Sequence, residues 1–552
     1  MRLLPVSLDA LLVELNDLDE TLALFEALQQ SPVEGVLDMV PAARTVLIQF
    51  DPTACSRERL VAEVMRHRGG KRAHQTGTLV QLPLRYDGED LDEMAAYLKV
   101  SREELVRRHS ESVWQVAFAG FAPGFAYMTC SDPLFNVPRR SSPRTRIPAG
   151  SVGLAGQFCG IYPRATPGGW QLIGTTEVPM WDLNRNPPAF LQPGQRVQFV
   201  DAETDAGAEV LARILAGAAG RPAMVPVGAG AGQASQEKAS PDFEVLAPGL
   251  QAIFQDLGRA GQAGQGVSAS GALDRRAFLR ANRLVGNHRN APALELLHGG
   301  FRLQVHSAAV MAVTGASGPV QLVHADGTQV AVGRDEPFSV EPGDTLGIGT
   351  PEAGLRSYLA VRGGFDVQPV LGSRATDTLA FVGPEPLVAG APLRTGNRHM
   401  GPVVLHPQAV LHDDLPSPEQ QTGAEVVTLD IVPGPRADWF SAEALALLED
   451  QSWLVTQQSN RVGLRLQGEM PLARAPEFEG RELASEGTVT GALQIPANGQ
   501  PVLFLADHPL TGGYPVIACV APHHLDLAGQ LPAGARLRFC VIAPFAGIDV
   551  PA

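Results

Sequence analysis

Hydrophobic and polar positions along most of this chain come in short alternating runs, which glycine and proline interrupt every eight to twelve residues or so. Short strands with frequent turn residues are typical of β-barrels and β-sandwiches. The first 80 residues differ: they predict a strand, a helix over Leu18–Gln30, a strand pair and a second helix over Arg57–Arg68. This β-α-β-β-α order predicts a small open-faced α/β domain. We therefore expect a mainly β fold with an α+β N-terminal domain.

One segment of the chain occurs twice, far apart in the sequence. Its first copy comprises Ile147–Gly150, Pro167–Ile173 and Pro193–Phe199, and its second copy comprises Ile495–Gly499, Thr511–Ile517 and Pro532–Phe539. In both copies a double glycine precedes an aromatic residue, Trp170 or Tyr514. We interpret the copies as two related β-barrels. If these barrels face each other, the Gly169-Trp170 and Gly513-Tyr514 turns are candidates for the rims of a shared cleft.

A stretch rich in alanine and glycine divides the chain, and its lack of periodicity is typical of a flexible linker. A chain of 552 residues is also too long for one hydrophobic core. A proline-glycine turn before a strand recurs at Pro342-Gly343, which indicates a barrel in the middle of the chain. We predict an α/β domain (1–80), a barrel (81–215), the linker (216–241), a barrel lobe (242–393), an irregular connection (394–424) and a second barrel lobe (425–552).

The net charge of −15 argues against a nucleic-acid or anionic-membrane partner. No run of 18 apolar residues occurs, and acidic residues interrupt the N-terminal apolar stretch too early for a secretory signal. The five cysteines are scattered without a C-x-x-C pair, which argues against a zinc site or a disulfide framework. We therefore expect a cytoplasmic protein without a metal site built from protein ligands.

Signatures of P-loops, dinucleotide folds, nucleophile elbows and zinc proteases are absent from the sequence. The densest island of glycine, proline and aromatic residues is Phe118–Tyr127, around Gly120, Phe121, Pro123 and Gly124. Such a segment predicts a packed loop, either one whose amides face a ligand or a buried structural turn. His109, just upstream, is a candidate for proton transfer or a solvated histidine at a helix end.

Four arginines within eight positions, Arg139, Arg140, Arg144 and Arg146, are separated by prolines and small polar residues. They are either a clamp for a carboxylate or phosphate, or a surface salt-bridge patch. Ser268–Gly271 precedes a predicted helix over Leu273–Val285. Its amides are a candidate anion site, and the alternative is simple capping around Ser270.

Further islands place acid, amide or arginine beside glycine, as a polar small-molecule pocket requires. Each of them is, taken singly, equally well explained as a hydrogen-bonded turn. Glu295, inside an apolar run, is either a paired buried acid or exposed at a strand edge. The islands are Gln255–Arg259 with Asp256, Ser459–Gly463 with Asn460 and Arg461, and Ser485–Gly487 with Glu486 and the following Gln494.

Long motifs in both halves resemble a known pair of proteins. FAGFAPGFAYM, PRRSSPRTRIPAGSVGLAG and GIYPRATPGGWQLIG resemble the small subunit of the prokaryotic ATP-dependent 5-oxoprolinase, a family also known as allophanate hydrolase subunit 1 or as a sporulation-kinase inhibitor. APGLQAIFQDLGRAGQAGQGVSASGALD, LVGN, SYLAVRGG, LGSRATDT, SNRVGLRL, SEGTVTGALQIPANGQPV and TGGYPVI resemble its larger partner, allophanate hydrolase subunit 2. The same modules resemble the carboxyltransferase region of urea carboxylase.

The resemblance implies a natural fusion of the B and C subunits of this enzyme, with cyclophilin-like β-barrels. It implies ATP-dependent hydrolysis of 5-oxo-L-proline to L-glutamate, with Mg²⁺, a separate third subunit, and phosphorylation of the lactam carbonyl. The expected catalytic residues are His109, Asp256 and Glu486. The expected substrate or anion contacts are Gly120, Phe121, Pro123, Gly124, Arg139, Arg144, Ser270, Asn460, Arg461, Gln494 and Tyr514.

Two alternatives stay open at this point: allophanate hydrolase or biotin-dependent carboxyltransferase-like chemistry on a urea-type substrate, and inhibition of a sensor histidine kinase. The sequence also allows a homo-oligomer. One departure from the large-subunit pattern occurs at Gly383–Leu387, where relatives usually have a glycine-glycine-arginine turn. Any ligand contact that relatives make there is in doubt here.

Overall fold

A computed structural model describes residues 1–70, 77–140, 142, 144–219, 240–404 and 415–543. Its first domain is an antiparallel sheet of order β1-β2-β4-β3. Helix α1 begins where the Asp17 side chain accepts a hydrogen bond from the Glu20 amide. Strand β1 is an addition to the elements that the sequence predicts. The elements are β1 (Arg2–Ser7), β2 (Ala10–Glu14), α1 (Leu18–Gln30), β3 (Val36–Pro41), β4 (Thr45–Phe50) and α2 (Arg57–Arg66).

Both faces of this first sheet are buried. Successive strand residues point to opposite faces, so Leu3 and Leu11 pack under the two helices. Leu4, Leu12 and Leu47 point the other way, into a core shared with the last barrel of the chain. The face that the sequence analysis expected to be open is therefore covered by the C-terminal part of the protein.

The next part of the chain is a seven-stranded sheet of order β12-β9-β10-β7-β6-β13-β5. Strands β13 and β5 pair in parallel, and a bridge between Arg85 and Thr175 brings the two ends of the sheet together as a barrel. The elements are β5 (Leu79–Leu84), α3 (Leu91–Leu98), α4 (Arg102–Glu111), β6 (Val113–Ala119), β7 (Ala126–Thr129), β8 (Arg144–Ile147), β9 (Ser151–Ala155), β10 (Phe158–Ile161), β11 (Thr166–Gly168), β12 (Gln171–Thr175), β13 (Arg196–Asp201) and α5 (Asp205–Ala219).

The middle of the chain forms two sheets around one apolar core, where the sequence analysis expected a barrel. The six-stranded sheet has the order β20-β19-β22-β17-β14-β24, and the five-stranded sheet has the order β15-β16-β23-β18-β21. The elements are β14 (Phe243–Pro248), β15 (Gln251–Gln255), α6 (Arg275–Leu284), β16 (Ala293–Leu297), β17 (Phe301–Val305), β18 (Ala309–Ser317), β19 (Val320–Val323), β20 (Gln329–Ala331), β21 (Pro337–Val340), β22 (Thr345–Ile348), β23 (Ala353–Val361) and β24 (Pro392–Leu393).

The last part of the chain is a closed barrel of order β25-β32-β29-β30-β27-β26-β33. Its elements are α7 (Pro418–Gln421), β25 (Val426–Pro433), α8 (Ala442–Asp450), β26 (Trp453–Val455), β27 (Gly463–Gln467), β28 (Glu486–Gly487), β29 (Ala492–Gln494), β30 (Val502–Phe504), β31 (Thr511–Gly512), β32 (Val516–Val520), α9 (Leu525–Gly529) and β33 (Arg536–Val541).

The two barrels are the repeat that the sequence predicted. Both have the same strand order, and in both a two-stranded ribbon is added, β11-β8 in the first and β28-β31 in the last. The agreement extends to single hydrogen bonds: Trp114 Nε1 donates to the His109 carbonyl, and Trp453 Nε1 donates to the Leu448 carbonyl. The double-glycine turns precede equivalent strands, β12 and β32.

One part of the predicted repeat is wrong. The segment beginning at Ile147 precedes β9, whereas the segment beginning at Ile495 follows β29. The residue that matches Gly150 is Gly491. The Gly150 amide donates to the Tyr162 carbonyl at the end of β10, and the Gly491 amide donates to the Phe504 carbonyl at the end of the equivalent strand β30. Both glycines have positive φ, 81° and 90°. The two Ile-Pro-Ala sequences are therefore similar by coincidence.

The predicted linker (216–241) begins inside helix α5, which continues to Ala219. Residues 220–239 of that linker, and residues 405–414 of the predicted irregular connection, lie outside the described residues. In the part of the chain that the structure describes, no helix is both long enough and apolar enough to cross a membrane.

Candidate functional site

The loop between β6 and β7 joins three parts of the protein, and we call this junction the seam. The seam comprises Gly120–Phe125 of the first barrel, Arg259–Gly266 and Asp377–Phe381 of the middle sheets, and Thr511–Gly513 of the last barrel. The Gly124 amide donates to the Gln265 carbonyl at 3.0 Å, and the Phe121 amide donates to Thr511 Oγ1 at 3.0 Å. The two barrels thus meet each other through this loop.

Three of the seven described non-glycine residues with positive φ lie in the seam or next to it. Phe121, Ser270 and Phe381 have φ angles of 63°, 55° and 55°, and residues other than glycine and asparagine rarely adopt this left-handed region. Such conformations cost about 1–3 kcal/mol each and occur most often at functional sites, where the surrounding structure holds them in place.

The predicted role of the Gly120–Gly124 loop as a set of amide donors for a ligand is wrong. The amides of Gly120, Phe121, Ala122 and Gly124 all donate to protein acceptors. Pro123 has no amide hydrogen. A Cβ atom at Gly120 would lie only 2.6 Å from Thr511 Oγ1, so the glycine allows close packing between the two barrels. This loop docks the domains together.

Of the predicted arginine clamp, Arg144 and Arg140 are occupied by protein acids. Arg144 contacts Asp90 at 2.8 Å and Glu89 at 3.1 Å, and Arg140 contacts Asp90 at 2.5 Å. Asp90 is buried and also accepts the Leu172 amide. The predicted role of Arg144 as a ligand contact is therefore wrong, because its guanidinium group is already neutralised.

Arg139 is different, since within the described residues it forms no hydrogen bond or ion pair. Its Nη1 lies 3.1 Å from the position that a Cβ atom of Gly513 would take, so it reaches across to the last barrel. Its positive charge also acts on Tyr127, a phenol whose pKa burial raises. Arg139 remains a candidate to bind an anion at the seam.

Two more unpaired arginines at the seam were missed as site residues. Arg164 lies over the ring of Phe381 at 4.8 Å, and its Nε and Nη1 are buried without a partner among the described residues. Arg259 is buried and donates one Nη to the Ala375 carbonyl, while its Nε and the other Nη have no partner there. Arg259 ends one of the sequence islands and Arg164 lies within a motif shared with the small-subunit family, but spacing alone does not distinguish an unpaired guanidinium group from a paired one.

Asp377 lies near both of these guanidinium groups, and its negative charge raises the pKa of each against the lowering effect of burial. Burial and the neighbouring Asp507 raise the pKa of Asp377 itself to about 6. One carboxylate oxygen accepts the Ser268 hydroxyl, and the other accepts the amides of residues 379 and 380. Asp377 thus controls the charge balance of the seam without offering a free oxygen.

Next to the seam, Arg461 forms the centre of a buried charge cluster. Its Nη1 contacts Glu295 at 2.5 Å, and its Nε contacts Asp507 at 3.0 Å. Asp507 also accepts the Ser270 hydroxyl at 2.6 Å and the Thr378 amide at 2.8 Å. The hydrogen bonds of Arg461 and Ser270 are thus made within the protein. The predicted ligand contacts at these two residues are wrong, and the cluster joins the middle sheets to the last barrel.

The predicted anion site at the start of α6 is occupied as well. The amides of Arg275 and Arg276 point to the carboxylate of Asp526, at 2.8 and 3.4 Å. Asp274 is the N-cap and accepts the Ala277 amide. The helix terminus does bind an anion, but this anion is a side chain of the last barrel.

His109 is a core residue, which contradicts its predicted role in proton transfer. It is 0% exposed and packs against Trp114 and Phe199 inside the first barrel. Nδ1 hydrogen-bonds Tyr86, and Nε2 lies 3.7 Å from Cys159 Sγ. Burial lowers the pKa of His109 to about 3, so the ring is neutral and out of reach of a substrate.

Asp256 is also structural rather than catalytic. It is fully buried, and its oxygens accept hydrogen bonds from the Gly258 amide, the Ser373 hydroxyl and the Arg374 amide. Three donors from the surrounding turns converge on this carboxylate, so it holds these turns together. Two of its three donors, Ser373 and Arg374, lie more than 100 residues further along the chain, so the sequence around Asp256 does not show its structural role.

The remaining predicted site residues lie in the last barrel. Asn460 is exposed and caps a turn by accepting the Val462 amide. Gln494 is buried and donates to the Tyr514 carbonyl, whereas the Tyr514 side chain is 43% exposed. Glu486 is held by Arg436 in a buried ion pair. Of these four, Tyr514 alone presents its side chain to solvent beside the seam.

Among the described residues, one group of side chains has the spacing of a metal site: Asp430, His523 and His524 on the last barrel. Hydrogen bonds explain its geometry. The Asp430 amide donates to His524 Nδ1 at 2.8 Å, and His523 Nε2 contacts Asp430 Oδ2 at 2.9 Å.

Two family descriptions match the chain: carboxyltransferase domain, subdomains C and D, over residues 1–191, and carboxyltransferase domain, subdomains A and B, over residues 265–541. The second half is 35% identical to the C subunit of 5-oxoprolinase from Escherichia coli, over 54% of this chain and 90% of that protein. The first half is 37% identical to the B subunit of 5-oxoprolinase from Haemophilus influenzae, over 31% of this chain and 80% of that protein.

The second half is also 32% identical to urea amidolyase of Lachancea kluyveri, over 54% of this chain but 17% of that protein. Among solved structures, TTHA0988 is similar over both halves. It is 33% identical with a TM-score of 0.78, and the alignment covers 96% of this chain and 99% of that one. The mainly β fold with barrels and the joining of two subunit types in one chain are thus confirmed.

Proposed function

Because this chain belongs to the carboxyltransferase-domain family that includes the B and C subunits of 5-oxoprolinase, with both types in one polypeptide, we propose that it is the fused B–C component of an ATP-dependent 5-oxoprolinase. In this proposal the seam binds 5-oxo-L-proline, and a separate third subunit completes the enzyme. The proposed product is L-glutamate.

The observation that carries the proposal is the set of three arginines at the seam with unpaired N–H donors: Arg139, Arg164 and Arg259. Buried guanidinium N–H donors without acceptors, as at Arg164 and Arg259, are costly, so their presence in a protein of net charge −15 indicates an anionic ligand. The carboxylate of 5-oxoproline, or a phosphoryl group on its carbonyl oxygen, would satisfy these donors.

The proposed chemistry is activation of the lactam. Transfer of the γ-phosphoryl group of ATP to the carbonyl oxygen breaks the amide resonance. Water then adds at the carbon, and the C–N bond breaks to release the amine and leave an acyl phosphate. A second water hydrolyses this acyl phosphate to the carboxylate and inorganic phosphate. The seam arginines would hold the substrate carboxylate and neutralise charge on the transferred group, which is what such a reaction requires of a protein.

The seam does not fit Mg²⁺. A magnesium ion needs free carboxylate oxygens, and the two acids of the seam, Asp377 and Asp507, already accept several protein hydrogen bonds each. We therefore derive no step through Mg²⁺ or through an ATP site on these residues. In our proposal, the nucleotide and its metal are held where the third subunit meets this chain.

The test combines purified chain, the third subunit, Mg-ATP and 5-oxo-L-proline, and follows ADP and L-glutamate. We expect ADP and L-glutamate to form only when all four components are present. The variants Arg139→Met, Arg164→Met and Arg259→Met should each lower kcat/KM by about 10- to 100-fold, because each removes a charge-assisted hydrogen bond. The control is Arg146→Met, an exposed arginine next to Arg144.

Absence of 5-oxoproline-dependent product from the complete set would refute the proposed activity. Stimulation by urea or allophanate in its place would indicate the urea-type alternative. Equal activity of the seam variants and the Arg146→Met control would refute the assignment of the seam as the binding site, whatever the substrate.

A further inference from the structure

A cavity lies between the first domain and the last barrel, away from the seam. We call it the junction cavity, and its volume is about 260 Å³. Glu486, which lines the junction cavity, directly follows Ser485, whose carbonyl accepts the Ala43 amide of the first domain at 3.2 Å. The cavity is lined by Arg2, Glu14, Arg44, Arg436, Asp438, Trp439, Phe478, Arg481, Glu482, Leu483, Ala484 and Glu486.

The floor of the junction cavity carries an excess of negative charge. Arg436 Nε contacts both oxygens of Glu486 at 3.0 Å, and Arg436 Nη2 contacts Glu14 at 3.0 Å. Arg2 contacts Glu14 at 3.0 Å and Asp438 at 3.4 Å. Arg2 and Asp438 are exposed at the mouth of the cavity, so the buried floor consists of one guanidinium group, Arg436, and the two carboxylates Glu14 and Glu486.

The rim of the junction cavity has the opposite balance. Arg44 donates only to the Leu15 carbonyl, with two contacts of 3.3 Å, so its charge has no acidic partner in the described part of the chain. Arg481 lies 5.4 Å from the ring of Phe478 and likewise has no acidic partner there. The exposed charged lining residues are thus three arginines, Arg2, Arg44 and Arg481, and two acids, Asp438 and Glu482.

The wall between floor and rim is aromatic. Trp439 and Phe478 stack at 4.6 Å with an interplanar angle of 18°. Because the two rings cover each other's inner faces, and Arg474 and Arg481 lie over their outer faces, a ligand in the cavity would lie against the apolar ring edges, with one end near the negative floor and the other near the arginines of the rim. Both the first domain and the last barrel contribute to the site, so it is complete only when the two halves of the chain are together.

We propose that the junction cavity binds a small zwitterionic amino acid with two carboxylates. Its ammonium group lies against Glu14 and Glu486 at the floor, and its carboxylates contact Arg44 and Arg481 at the rim. The volume favours a small ligand, since it lies just below the roughly 300–1,000 Å³ of pockets for drug-sized molecules. This proposal is independent of the function proposed for the seam.

The experiment is isothermal titration calorimetry of the full chain with three probes. L-Glutamate has the ammonium group and both carboxylates, glutarate lacks the ammonium group, and 5-oxo-L-proline lacks the ammonium group and one carboxylate. We expect L-glutamate to bind and the other two to bind at this cavity at least tenfold more weakly. Equal binding of glutarate at the junction cavity, or no heat with L-glutamate at millimolar concentration, would overturn the proposal.

Variants locate the site. Arg481→Met is at the exposed rim and should weaken L-glutamate binding by about tenfold or more. Its matched control is Arg474→Met, because Arg474 lies over the other face of the same stack, 5.8 Å from the ring of Trp439, and does not line the cavity. Equal affinities of these two variants would refute the site.

The seam variant Arg139→Met separates the two proposals. It should leave L-glutamate binding at the junction cavity unchanged while it weakens 5-oxo-L-proline binding at the seam. Loss of L-glutamate binding in Arg139→Met, together with unchanged binding in Arg481→Met, would place the amino acid at the seam and overturn the junction-cavity assignment.

Discussion

The backbone amide of Phe121 donates a 3.0 Å hydrogen bond to Thr511 Oγ1. The two residues lie on the two repeated barrels, and Phe121 is in a strained conformation with a φ of 63°. One side-chain hydroxyl therefore helps to hold both a strained turn and the contact between the halves of the chain.

Replacing Thr511 by valine tests this contact. The shape is kept, but the Phe121 amide loses its acceptor, which costs about 1–3 kcal/mol for a buried donor. We expect a lower free energy of unfolding and faster hydrogen exchange at the Phe121 amide. Thr350→Val, at an exposed position, is the control. Unchanged exchange at Phe121 in Thr511→Val would show that the turn does not depend on this bond.

The charge cluster around Arg461 predicts a large loss of stability on truncation. Arg461→Met leaves Glu295 and Asp507 buried without their shared cation, and breaking a buried pair in this way costs about 3–5 kcal/mol. Chemical denaturation measures this loss, and the exposed Arg465→Met is the matched control. A loss below about 1 kcal/mol, the size of an ordinary surface effect, would mean that the two acids find other partners.

His109 predicts a pH dependence of stability. Its pKa is about 3 in the folded protein and about 6.5 in the unfolded chain, so the unfolded chain binds the extra proton between these values. The free energy of unfolding should therefore fall as pH falls below 6.5, by up to about 1.4 kcal/mol per pH unit from this group.

Comparison with His109→Phe isolates this contribution, because other groups titrate alike in both proteins. We expect the stability of the wild type relative to the variant to drop by about 2 kcal/mol between about pH 7.5 and about pH 5. Parallel stability curves from chemical denaturation at these pH values would contradict a neutral buried His109.

Asp377 predicts a pH dependence of anion binding at the seam. Its pKa is about 6, so it becomes negatively charged as pH rises through 6 and competes with a bound anion for Arg164 and Arg259. Affinity for 5-oxo-L-proline, measured by calorimetry, should fall between about pH 5 and about pH 7.5 in the wild type. In Asp377→Asn it should stay nearly constant, and in the exposed control Asp366→Asn it should follow the wild type. A persistent pH dependence in Asp377→Asn would assign it to another group.

The sequence predicted the regular parts of the fold because local periodicity determines them. Helix α1 lies where its apolar spacing placed it, and the double-glycine turns mark equivalent strands in the two barrels. The Ile147 and Ile495 segments were misaligned because similar short sequences can form different turns. The correct partner of Gly150 is defined by hydrogen bonds to neighbouring strands, which no local pattern records.

The candidate site was predicted in part. The islands do converge, but most of their polar groups bind one another: Asp256 binds Ser373, and Ser270 binds Asp507. Which arginine stays unpaired depends on whether an acid from another element reaches it. Arg144 meets Asp90, whereas Arg139, five positions earlier, meets a glycine. That distinction is a property of the tertiary structure.

The core shared by the first sheet and the last barrel also has a consequence for how the protein is made. Leu4 and Leu12 pack with Val516 and Cys519, residues that leave the ribosome some 500 positions later. At roughly 5–20 residues per second, the first sheet waits about 25–100 s for its partner during synthesis. In that interval an apolar face of the nascent chain is uncovered, so the N-terminal domain is where chaperones should bind while the rest is translated.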